Sequence, residues 1–149
     1  MKKELLIKII LILLIFGGLI YYLNSLNNAS VTLNKDNEEY TLEGVTMKLK
    51  DNTLTKSGAT IIITDDNEIK YTYEEDYKLE KRIDHIWYEL KSRGDAFFNE
   101  MGYLVDDNNE LEMDIDWSKT YGNLTSGKYR IIKRIYDGEY KYFSVEFVL

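Results

Sequence analysis

Between Glu110 and Trp117 the chain alternates without a break: Glu110, Glu112, Asp114 and Asp116 are acidic, and Leu111, Met113, Ile115 and Trp117 are apolar. A period of two is the period of a strand, and a helix would smear the same pattern around its circumference. This stretch must therefore lie with one face in a core and the other in water. The residues beyond Trp117 narrow the choice further. Gly122, Leu124 and Gly127 mark a tight passage, after which Lys128 to Tyr136 alternates again, so the stretch from Asp114 to Ile135 reads as a corner between two sheets.

The same period recurs along the chain. Val45, Met47 and Leu49 alternate with Thr46, Lys48 and Lys50, and residues 59–64 form a β-branched run with Ile61 and Ile63 facing inward. Tyr77 to Ile83 and Ile86 to Leu90 form a hairpin across Asp84 and His85. Lys128 to Tyr136 pairs with Tyr140 to Leu149 across Asp137-Gly138, a strong short-range hairpin signal. Short extended pieces are expected at Lys70 to Tyr73, and further edge strands at Val31 to Leu33 and Tyr40 to Leu42. Seven main strands with no long helical period predict an all-β sandwich of antiparallel strands. Proline is absent, so the turns fall to Gly, Asn, Asp and Ser. Cysteine is absent too, which excludes disulfides, thiolate metal sites and a cysteine nucleophile.

Leu5 to Leu23 is apolar apart from Lys8, long enough for a bilayer at about 1.5 Å per residue, with Tyr21 and Tyr22 at its far end and Lys2, Lys3 and Lys8 at its near end. This predicts an N-terminal transmembrane helix, a signal anchor over residues 1–23, then a linker over 24–43 and the sandwich over 44–149. The expected location is the cell membrane, single-pass, with the C-terminal domain extracellular. A cleaved signal peptide is the alternative, though the run has no A-x-A-like site after it. From Asn24 onward, 16 basic residues stand against 25 acidic ones, a balance of −9, and no basic stripe interrupts it. Nucleic acid is excluded as a partner on that ground.

The strings G-V-T-M-K-L-K, A-T-I-I-I-T, Y-K-L-E-K-R-I-D-H-I-W-Y-E-L and D-W-S-K-T-Y-G-N-L-T-S-G-K-Y-R-I-I-K resemble the bacterial immunoglobulin-like domain of Gram-positive envelope-anchored proteins. The resemblance covers Gly44 to Leu149. It implies an Ig-like sandwich whose structural corner comprises Trp117, Tyr121, Gly122, Leu124, Gly127 and Tyr129, the last bonded through its hydroxyl to nearby backbone. Ile131 then stands where antibody-type domains carry their second cysteine. No catalytic residue, cofactor or metal comes with the resemblance.

Few residues offer chemistry. His85 is the only histidine and falls in a turn, so a Ser-His-Asp triad is not expected. Asp65 to Glu68 and Asp106 to Glu110 are oxygen-rich loops that lack the EF-hand glycine, which leaves a calcium-dependent sensor as an alternative. The acidic face of Glu110 to Asp116 leaves a carboxylate-based hydrolase as another. The leading expectation is a non-catalytic binding or structural module with a protein or cell-wall partner. Phe97, Phe98 and Tyr103, in the long segment Lys91 to Asn109, are the candidate contacts, because a loop of that length is either functional or folded back onto the core.

Overall fold

In the computed structural model, described over residues 14–18, 31–33, 39–94, 98 and 101–149, alternation becomes two antiparallel sheets. The strands are β1 (Val31–Leu33), β2 (Val45–Leu49), β3 (Gly58–Asp65), β4 (Lys78–Ile83), β5 (Ile86–Leu90), β6 (Glu110–Asp116), β7 (Lys128–Tyr136) and β8 (Tyr140–Val148). One sheet has the order β1-β5-β4-β7-β8 and the other β2-β3-β6. β1 lies inside the stretch read as linker, where it pairs with β5 through Val31–Leu90, Thr32–Glu89 and Leu33–Tyr88.

Parity decides what the sheets bury. In β3 every second residue is buried, Ile61 and Ile63 completely so, and on the facing sheet Leu79, Tyr129, Ile131 and Ile135 turn inward to meet them. Trp117 and Phe147 close the core at the corner end with rings stacked at 5.5 Å. Burying an aromatic of this size contributes on the order of 2 to 3 kcal/mol by transfer alone. Asp84 and His85 both have positive φ, 48° and 68°, which makes the β4–β5 connection a type I′ turn. Asp and His are among the few side chains that tolerate that conformation, so the turn's composition accords with its geometry.

The expected N-terminal transmembrane helix is not found. Among the described residues no helix is long and apolar enough to cross a membrane. The described helical residues of that run are 14–18. The rest of the run lies outside the described residues. Among the described residues the fold class is thus the two-sheet β-sandwich, without the transmembrane helix expected before it.

Candidate binding surface

The sandwich has two ends. At one, β6 passes into the corner and β7 begins. Trp117 is fully buried, its indole N–H donates to Lys56 O at 2.7 Å, and Leu124 N–H donates to the same carbonyl at 2.8 Å. The Tyr129 hydroxyl donates to Thr125 O at 2.9 Å, while its ring stacks on Phe147 at 5.6 Å. Gly122 holds φ +79°, and a Cβ there would meet the Arg93 guanidinium at 2.4 Å. Tyr121 N–H donates to Trp117 O, Leu124 is buried, and Gly127 exchanges backbone bonds with Leu149. The indole N–H of Trp117 and the hydroxyl of Tyr129 are both spent inside the fold, so these two corner rings keep no polar group for a ligand.

The other end is built around Asp65. Its carboxylate is fully buried and accepts four hydrogen bonds, from Asn67 N–H, the Asn67 amide, Tyr71 N–H and the Tyr73 hydroxyl, all at 2.9 to 3.0 Å. Burial alone pushes this acid's pKa up. The backbone donors of Tyr71 and Asn67, with the Asn67 and Tyr73 side chains, more than offset it and hold the acid below its ordinary range. Burial, then the hydrogen bond to Asp65, raises the Tyr73 pKa in turn. With its oxygens used in this way, Asp65 organises the loop of residues 66–72 and is not available as a cation ligand. Asp106 does the same for the other acidic loop, accepting from Asn108 N–H and Glu110 N–H at 2.9 Å. Among the described residues no group of three or more His, Asp or Glu side chains is placed to hold a metal.

On this scaffold the loop end displays apolar surface. Ile69 is 87% exposed, Tyr136 68% and Tyr140 54%, and the two tyrosines pack edge-to-face at 5.2 Å. Arg134 lies over the Tyr140 ring at 4.6 Å and Lys141 over Tyr71 at 5.9 Å. Between the 67–72 loop and the β7–β8 hairpin lies an open depression of about 550 Å³ that includes Ile69, Tyr71, Tyr136 and Asp137 in its walls. Met101 and Leu104 are exposed on either side of Tyr103, which bridges to Tyr73 through both backbone hydrogen bonds.

Phe98 and Tyr103, singled out from the sequence as contacts, each touch another part of the domain. Phe98 packs edge-on against Tyr77 at 5.4 Å, and the Tyr103 hydroxyl donates to Glu75 at 2.7 Å. Phe97 lies outside the described residues. His85 stands exposed in its turn at the corner end of β4 and β5. The carboxylates of β6 face solvent, where Lys50 reaches Glu112 at 2.7 Å and Lys48 reaches Glu110 at 3.8 Å.

Three buried charged side chains, Glu80, Arg130 and Lys133, have no signal in the sequence pattern. On the outer face of the five-stranded sheet Arg130 donates to Glu80 at 2.6 Å, both almost wholly buried, with Tyr40 and Trp87 rings each within 4.6 Å of the guanidinium. Lys133, on the core-facing side of β7, is 1% exposed and donates to the carbonyls of Glu74 and Asp76. Burial lowers its pKa to about 8, against the raising influence of the Asp76, Glu75 and Glu74 carboxylates.

Residues 41–147 match the family model of the bacterial Ig-like domain. No curated protein and no solved structure matches the chain.

Proposed function

The chain belongs to the bacterial Ig-like domain family, and from that premise we propose that it is a non-catalytic module that binds a protein or cell-wall partner through its loop end. The observation that carries this is the exposed cluster of Ile69, Tyr136 and Tyr140 beside an open depression, with Ile69 on a loop tied down by the buried Asp65 and the two tyrosines packed together at the ends of β7 and β8. Exposed aromatics on a rigid base are the residues that anchor interfaces, since they cover much area at little entropic cost. An envelope setting, with the sandwich outside the cytoplasm, belongs to the same reading and is supported by the sequence resemblance.

The test is in vivo crosslinking from a photoreactive residue at position 136 or 69, compared with one at His85, exposed in its turn at the corner end. Discrete adducts from the first two positions and none from the third are the expected result. Adducts from neither, or equally from His85, would overturn the loop-end reading.

A further inference from the structure

A second docking feature lies on the opposite side of the architecture, at the open edge of β6. Trp117 N–H bonds Ser57 O at one end of the β3–β6 ladder, and Asp65 N–H bonds Asn109 O at the other. With the register running from Gly58–Asp116 to Thr64–Glu110, odd-numbered residues of β6 therefore exchange hydrogen bonds with β3. The even-numbered ones turn N–H and C=O away from it.

The chain closes both ends of that edge itself. Glu110 N–H is bonded to the Asp106 carboxylate and Glu110 O accepts from Asp106 N–H, while Asp116 O accepts from the Tyr77 hydroxyl at 3.2 Å. The middle is left open. β6 pairs with no strand other than β3, and the N–H and C=O of Glu112 and Asp114 have no partner among the described residues. Beside this window lies a groove of about 570 Å³, bounded by Met113 to Asp116, Tyr77, Glu75 and Phe98, with Arg93 and Lys119 at the end where β6 runs into the corner.

The residues whose backbone is open are also the acidic ones. Glu112 is paired with Lys50, whereas the Asp114 carboxylate accepts from the neutral Thr60 hydroxyl at 2.6 Å and that of Asp116 from Ser118. A strand added here places alternate side chains directly beside these carboxylates, and its other side chains toward Tyr77 and Phe98. Like charges opposite one another destabilise a strand pair, so a second β6 is excluded as the occupant and an alternating cationic strand is favoured.

We propose that the open edge of β6 at Glu112 and Asp114 accepts an extended partner segment carrying Lys or Arg at every second position, as an added strand. The probe is the synthetic peptide Lys-Thr-Lys-Val-Lys-Thr-Lys with the full chain. Fluorescence anisotropy reads affinity, and amide exchange by NMR reads the site. Saturable binding is expected, with slowed exchange at the Glu112 and Asp114 amides. Alternate N-methylation of the peptide backbone is expected to weaken binding at least tenfold, as is Asp114→Pro, which removes an outward donor together with the carboxylate that accepts from Thr60, while leaving the backbone bonds to β3 in place. If Asp114→Pro fails to fold, the N-methylated peptide still decides. Equal binding of the N-methylated peptide would reduce the effect to charge attraction and overturn the proposal. So would protection confined to other amides, absence of saturable binding, or self-association of the chain in place of peptide binding.

Discussion

The corner and the loop end are both rich in aromatic side chains, yet they treat them in opposite ways. At the corner, Trp117, Tyr129 and Phe147 lie ring on ring, and the indole N–H and the phenol O–H are each directed at a backbone carbonyl. At the loop end, Tyr136 and Tyr140 meet edge to face in the open, while the buried polar work is done below them by Asp65 and Lys133. Residue type does not separate structure from function here. What separates them is whether the polar tip of each ring is already satisfied within the fold.

This contrast can be broken by substitution. Trp117→Ala should be the most damaging change, lowering stability by about 3 to 5 kcal/mol in denaturant unfolding, because it leaves a cavity and takes the indole donor from the Lys56 carbonyl. A loss under about 1 kcal/mol would place the ring outside the core.

Lys133 comes next. Its folded pKa of about 8 lies below the ordinary 10.5, so the unfolded chain binds more protons between those values and stability rises with pH across that window. The wild type should gain about 2 to 3 kcal/mol relative to Lys133→Met between pH 8 and 10.5. Parallel pH profiles for the two proteins would show that the ammonium is not desolvated. Tyr129→Phe should cost about 1 to 3 kcal/mol by removing the donor that the Thr125 carbonyl accepts from, and an unchanged melting temperature would show that the hydroxyl does not hold the corner. Tyr136→Ala should be the mildest, within about 0.5 kcal/mol of the parent. A larger loss would make the loop end as structural as the corner and erase the distinction.

Alternation made the strands legible from the sequence, since β6 and β8 differ in parity between their two faces as any half-buried strand does. It misled at β7, where Tyr129 through Lys133 are all buried. Arg130 has the parity of a solvent-facing residue, and only the arrival of Tyr40, 90 positions earlier in the chain, covers it on one side as Trp87 does on the other. Lys133 has core parity with the wrong chemistry, and what makes it tolerable is a pair of backbone carbonyls, Glu74 O and Asp76 O, which no side-chain pattern records. The loop end was missed for a related reason. Ile69 sits between Glu68 and Lys70 and is silent to periodicity, and its exposure depends on the Asp65 hydrogen bonds that shape the loop.

The two outermost strands of the larger sheet are attached very differently. β1 meets β5 at three positions, whereas β8 meets β7 at nine. Tension applied between residue 31 and residue 149 loads these attachments in series, and the shorter one yields first. The next described anchor along the chain is Tyr40, whose ring is seated on the Arg130 guanidinium. A pull therefore detaches β1 before it reaches β8, and that first step leaves the loop end and the corner undisturbed.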